Sequence, residues 1–171
     1  IAGTLIPSAD ENTVIYTGAV AQTIKMPTTN PYYNLTIDKS AGIATMGGTF
    51  TVNGDLTIEN GSLATSTYTL TGAGSNSGKT LTINNEATFT IQTAIANPMP
   101  TFENYALSFN STVEYKSNYS NNVLGLDYGN LTLSIASGSA QYIRTLVGNA
   151  SVAGNLTINN YNNFKVGNNT L

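Results

Sequence analysis

The chain has 171 residues, only 9 % of them charged, a net charge of −3, and neither cysteine nor histidine. That inventory excludes disulfide staples, thiolate chemistry, a Ser-His-Asp triad, a Cys-His dyad and any zinc site built on histidine. The six basic residues (Lys25, Lys39, Lys79, Lys116, Arg144, Lys165) are scattered and make no patch that could neutralise nucleic-acid phosphates.

Charged residues normally supply about 25 % of a soluble domain. Here Thr, Asn, Gly and Ser take their place, so solubility rests on hydroxyls and amides. No segment approaches the ~18 consecutive apolar residues of a membrane helix, and membrane insertion is not expected. The first residue is Ile1 and Leu171 falls in mid-pattern. Both ends are expected to continue in a longer parent.

In chain order, the first predicted strand is Thr13-Val14-Ile15-Tyr16. Leu35-Thr36-Ile37 follows, and this phrase or a close variant then returns at Leu56-Thr57-Ile58, Leu81-Thr82-Ile83, Leu107-Ser108-Phe109, Leu131-Thr132-Leu133 and Leu156-Thr157-Ile158. Successive leucines are 21, 25, 26, 24 and 25 residues apart. A steady period of this size signals a solenoid, whose turns bury their apolar sides only by stacking on one another. Period-two alternation sends Leu and Ile to one side and Thr to the other. Stacking is expected to align Leu35, Leu56, Leu81, Leu107, Leu131 and Leu156 as one internal ladder. A second ladder would run Ile37, Ile58, Ile83, Phe109, Leu133 and Ile158.

Shorter strands are predicted between these, at Thr49 to Val52, Tyr68 to Thr71, Thr88 to Ile91, Thr112 to Tyr115 and Gln141 to Leu146. Corners such as Asn53-Gly54, Asn60-Gly61, Asn84-Asn85 and Asn159-Asn160 separate them, because Asn and Gly tolerate the left-handed backbone of tight turns. Asn60, Asn85 and Asn160 recur at one point of successive turns, where amides could stack. Asn34, Asn130 and Asn155 each precede a core strand, which gives them corner roles. No segment shows helical periodicity with caps.

The predicted fold is all-β: a right-handed, three-faced parallel β-helix of six to seven turns, about 25 residues each. Antiparallel β-sandwich repeats are the alternative, since closely spaced short strands also read that way. The whole of 1–171 is expected to be a single solenoid segment. A longer period overlies the turns: Thr13–Tyr16 matches Thr112–Tyr115 at an offset of 99, Tyr33–Ile37 matches Gly129–Leu133 at 96, and Thr51–Ile58 matches Ser151–Ile158 at 100. The chain therefore divides into a full unit of about 100 residues, 13–111, and a partial one, 112–171. Within it, the 21-residue step from Leu35 to Leu56 predicts a tighter corner or a change of cross-section.

Candidate chemistry is sparse. Ala73–Thr80 satisfies a relaxed phosphate-loop pattern, but a strand follows where the chemistry needs a helix N-terminus. Asp38, Asp55, Glu59 and Glu86 lie near corners, and a pair of acids is what glycoside hydrolysis requires. Asp55 becomes Asn155 in the second copy, however, so solvated corner charges are the better reading. Thr-x-Thr pairs could order water on a flat face as in an ice-binding solenoid, although β-propensity alone would place them there. The ten tyrosines are read as strand residues packing at corners. No catalytic, metal or cofactor residues are assigned.

The phrases Thr13–Tyr16, Tyr33–Ile37 and Thr51–Ile58, taken together, resemble the repeats of very large bacterial surface proteins. Those are long β-solenoid adhesins and filament proteins, often exported by the type IX route. The resemblance spans about Thr13 to Asn160. It implies secretion, display at the cell surface or in an extracellular fibre, and a structural or adhesive role as a rigid rod. It carries over no catalytic residue. Partners on this reading are neighbouring turns of the parent, other subunits, or surface glycans. A carbohydrate-active β-helix (polysaccharide lyase or glycosidase-like) is the rival class.

Overall fold

A computed structural model describes residues 7, 8, 11–29 and 31–171. Residues 1–6, 9, 10 and 30, which the sequence reading places in the same segment, lie outside the described residues. The fold is a β-solenoid of about seven turns, with no helix among the described residues. Every paired strand is parallel to its neighbours. That excludes the antiparallel sandwich.

Two rows of strands form most of the wall. The first runs from Thr13–Thr17 through the start of Asn34–Met46 and of Leu56–Ala64 to Thr80–Ile83 and Asn104–Leu107. The second runs from Gln22–Ile24 through the ends of those two long strands to Thr88–Ile91, Thr112–Lys116, Asn130–Ser134 and Leu156–Ile158. Asn34–Met46 turns the corner between the rows, and the register shifts between Ile37 and Ile43 where it bends. Smaller sheets complete the wall: Phe50–Thr51 with Leu70–Thr71, Asp127–Tyr128 with Ser151–Val152, and Asn121–Leu124 with Tyr142–Val147 and Asn162–Lys165.

Stacked partners average about 22 residues apart rather than 25. The short step at Leu35 to Leu56 is not unique. Ala44 and Leu63 are partners 19 residues apart, and Val113 and Leu131 only 18. Corner loops absorb the variation, while each paired stretch within the two rows stays three to five residues long.

The inward ladders hold over the first three phrases: Leu35, Leu56 and Leu81 stack in register, as do Ile37, Ile58 and Ile83, and all six are fully buried. Each such side chain contributes about 1.5–3 kcal/mol by leaving water. The fourth rung differs from the sequence expectation. Tyr105 stands beside Leu81, and Leu107 beside Ile83. Phe109 is on no ladder; it sits in the turn that follows, 63 % exposed. The later phrases also change row. Leu131 and Leu156 extend Ala44, Leu63, Phe89 and Val113, while Leu133 and Ile158 extend Ile91 and Tyr115. So the expected pair of ladders is divided between two sides of the solenoid.

This change of row has a simple origin. Four stacking steps carry Val14 to Tyr105 on the first row. The next strand along the chain, Thr112–Lys116, then resumes the sequence of Thr13–Thr17 on the second row. One repeat therefore advances four turns and one side.

Candidate functional site: corner devices and the cleft at the repeat junction

Two of the four predicted corner carboxylates, Asp38 and Asp55, hold one turn to the next. The Asn34 side-chain oxygen accepts the Asp55 N–H (2.8 Å), and Asp55 in turn accepts the Thr80 N–H (2.8 Å). Asn130 does the same for Asn155 (2.9 Å). Asp38 accepts from the Asn60 amide (2.8 Å). Glu59 and Glu86 are exposed. Among the described residues no group of three His, Cys, Asp or Glu side chains is placed to hold a metal ion. Asn85 accepts the Asn110 N–H (3.3 Å), so two of the three recurring corner amides, Asn60 and Asn85, bond across turns, each to a partner other than the recurring amides themselves.

The phosphate-loop-like stretch leads straight into the strand Thr80–Ile83. Its Lys79 points at Tyr33, 3.4 Å from the hydroxyl and 5.1 Å from the ring centroid. Outward threonines form a row of three, Thr36, Thr57 and Thr82, with Ile15 before it and Ala106 after it.

Two of the scattered cations have a role that the sequence reading missed. Lys39 is 1 % exposed, and its ammonium donates to Thr17 O (3.1 Å), Val20 O (2.7 Å) and Gln22 Oε1 (2.7 Å). Arg144 is fully buried and fills the equivalent loop of the second copy. It donates to Ser117 O (2.7 Å), Tyr119 O (2.5 Å) and Asn121 Oδ1 (3.0 Å), and further to Ser117 Oγ, Ser134 O and Asn162 Oδ1. Val20 and Tyr119, like Gln22 and Asn121, are 99 residues apart. A corner loop turns its carbonyls inward, and a buried cation from a later turn satisfies them. Burial lowers the Arg144 guanidinium to about 10, which leaves it charged at neutral pH.

Tyrosine hydroxyls form a second repeated device. Tyr16 accepts the Lys25 N–H (2.9 Å), Tyr32 donates to Lys25 O (2.5 Å), and the two hydroxyls lie 3.2 Å apart. In the second copy Tyr115 accepts the Leu124 N–H (3.2 Å), Tyr128 donates to Leu124 O (2.5 Å), and the hydroxyls are 3.3 Å apart. Each phenol has one proton, so Tyr16 must donate to Tyr32 and Tyr115 to Tyr128. Together the pair offers one acceptor and one donor to a main chain that turns away from the ladder. Burial raises the Tyr115 hydroxyl to about 12 and pushes Tyr32 and Tyr128 up as well.

Where the repeats meet, stacking opens. Asn122 is pinned to the turn below by its N–H on Ala96 O (2.7 Å) and its amide on Asn97 Oδ1 (2.7 Å). Asn130 is pinned by its N–H on Ser111 O (2.7 Å). The lower turn takes 14 residue steps from Asn97 to Ser111, the upper only 8 from Asn122 to Asn130. The excess lies around Pro98 and Pro100, which have no N–H to give a ladder. Tyr105 fastens the bulge, donating to Pro100 O (3.0 Å) and accepting the Phe102 N–H (3.1 Å). Asn104–Leu107 consequently pairs with Thr80–Ile83 on one edge and, among the described residues, with no strand on the other.

The mismatch leaves a cleft of about 410 Å³ whose apolar lining is Met99, Phe102, Tyr105, Leu124 and Val147. Asn97, Thr101 and Asn122 supply its polar groups. A second, more polar cavity of about 370 Å³ shares Tyr105 and sets 103–105 against 125–127, with Asn149 beside them. Its two carboxylates are already engaged: Glu103 accepts the Gly78 N–H (2.6 Å), and Asp127 accepts the Ser151 hydroxyl (2.6 Å).

Comparison with protein-family models, with curated proteins and with solved structures finds no match to this chain.

Proposed function

We propose that this chain is a structural and adhesive segment of a secreted bacterial surface or extracellular fibre protein. One observation carries the reading: two structural devices, a corner loop filled by a cation from a later turn and a tyrosine pair that braces the main chain inside one turn, recur about one repeat apart, with Val20 and Tyr16 answered 99 residues on by Tyr119 and Tyr115. A chain selected for one active site would keep a special constellation once; a chain selected for length repeats its joints. Low charge and outward hydroxyls suit a surface that meets water and other polymers without strong ionic preference. The resemblance to surface-repeat phrases points the same way and supplies the expected location.

The test is accessibility in the organism that makes the protein. Antibodies against the chain are expected to label intact cells or shed fibres, and protease added outside should remove the label. Labelling seen only after permeabilisation would overturn the reading.

A further inference from the structure

We propose that the junction cleft binds a short uncharged oligosaccharide, with one sugar ring against Tyr105 and Leu124 and the next reaching Glu103 and Asp127. The inference gives a ligand class to the adhesive half of the function proposed above. It rests on the shape and chemistry of the two cavities that share Tyr105.

Size is the first argument. A volume of about 410 Å³ falls within the roughly 300–1,000 Å³ of small-molecule sites, and the mixture of apolar walls with a few placed polar groups is the usual composition. A pyranose presents the same mixture: an apolar C–H face that packs on an aromatic or aliphatic wall, and a rim of hydroxyls. Tyr105 and Leu124 offer the wall, while Asn97, Thr101 and Asn122 offer amide and hydroxyl partners. Beyond Tyr105 the lining changes to Asn104, Asn149 and two carboxylates, groups that accept from sugar hydroxyls.

Charge narrows the class further. Neither cavity is lined by a cation, and the second holds Glu103 and Asp127. A uronic-acid or sulfated chain would bring like charges together without compensation. An extended peptide adding a strand to the free edge of Asn104–Leu107 is the competing occupant. It fits less well, because the slot is closed at both ends by the main-chain bonds Asn122 to Ala96 and Asn130 to Ser111. A continuous strand has no way in or out along the row; a short ligand enters from the side.

The whole chain would be titrated calorimetrically with uncharged di- and trisaccharides, with their uronic-acid counterparts and with an extended-peptide library. Binding of at least one uncharged sugar and weaker binding of its acidic counterpart are expected. Val147→Arg places a bulky cation at the cleft mouth from a side chain already 46 % exposed, and should cut affinity about tenfold or more. Ile143→Arg, on the same strand at a position that lines neither cavity, should leave it unchanged. Asp127→Ala, an exposed position, provides a second variant that keeps the fold and should weaken binding in the same direction. Absence of sugar binding, binding indifferent to Val147→Arg and Asp127→Ala, or preferential capture of a peptide would each overturn the proposal. A chain that labels the cell surface yet binds no sugar would remove this site and leave the surface role intact.

Discussion

Lys39 and Arg144 fill equivalent corner loops with different cations. Lys39 closes residues 17–22 through three acceptors, and Arg144 closes 117–121 while also reaching Ser134 and Asn162. Removing either cation leaves inward carbonyls without donors, which costs about 1–3 kcal/mol for each group that water cannot reach. Lys39→Met is expected to lower stability by about 2–4 kcal/mol, and Arg144→Met by at least as much. Urea unfolding would measure both. Since solenoid turns contact only their neighbours, hydrogen exchange should loosen around residues 13–46 in the first variant and around 112–165 in the second.

The tyrosine pairs predict an alkaline limit to the fold. Tyr115 is raised to about 12 from 10.0, and Tyr32, Tyr105 and Tyr128 are raised too, burial being the largest cause in each case. Below pH 10 these hydroxyls are protonated in both states and their stabilisation is complete. Above pH 10 the unfolded chain releases protons that the fold retains, so stability falls until the folded pKa is passed. Arg144 acts in the opposite sense, being lowered in the fold, but it is one group against four. Circular dichroism with tyrosinate absorbance should show unfolding and ionisation together, beginning above pH 10.

Tyr115→Phe removes the acceptor of the Leu124 N–H and the donor to Tyr128. A loss of about 1–3 kcal/mol is expected from the stranded main-chain group. Tyr119→Phe, whose ring is exposed, should change stability by less than about 0.5 kcal/mol. Thermal melts of the two proteins side by side make the comparison.

Gly54 and Gly154 test the corner amide joints. A Cβ on Gly54 would lie 2.2 Å from Asn34 Oδ1 and 2.6 Å from Tyr33 O; on Gly154 it would lie 2.4 Å from Asn130 Oδ1. Either alanine variant must push away the amide that accepts the next N–H. Each is expected to cost about 1–3 kcal/mol, with the Asp55 or Asn155 amide losing exchange protection. Gly138, which meets nothing within 4 Å, is the control for position, although its backbone φ of 85° means that alanine there carries its own small strain.

Identical phrases should respond differently to truncation. Leu56→Ala opens a cavity in a fully buried row and is expected to cost about 2–5 kcal/mol. Leu156→Ala removes a side chain 37 % exposed on the last rung, and its cost should be well below half of that. Equal losses would mean that Leu156 is covered in solution.

The Leu-Thr-Ile phrase made the turns legible because alternation and stacking impose the same requirement on every layer. It could not settle register at the fourth rung. Tyr105, Leu107 and Phe109 share one parity, so period two accepts the ladder at 105/107 or at 107/109. The turn decides: Ser111 bonds Ser108 O through both its N–H and its hydroxyl, which ends the strand before Phe109. The shift of Leu131 and Leu156 to the second row was hidden for a similar reason, since a repeat seen along the chain carries no information about which side it occupies. Lys39 and Arg144 escaped notice because a single basic residue looks solvated until the loop that surrounds it is known. Their signal lay in the 99-residue offset between the loops themselves, Val20 with Tyr119 and Gln22 with Asn121. The cleft was partly visible as Asn97-Pro98-Met99-Pro100, a stretch that cannot give a ladder, but its depth depends on the shorter turn above it.

The advance of four turns and one side per repeat fixes the bearing of everything the chain displays. Two matching corners, such as those closed by Lys39 and Arg144, look out in different compass directions. A partner that grips both must wind about the axis like a thread on a screw, whereas one lying straight along the shaft meets each kind of corner only once.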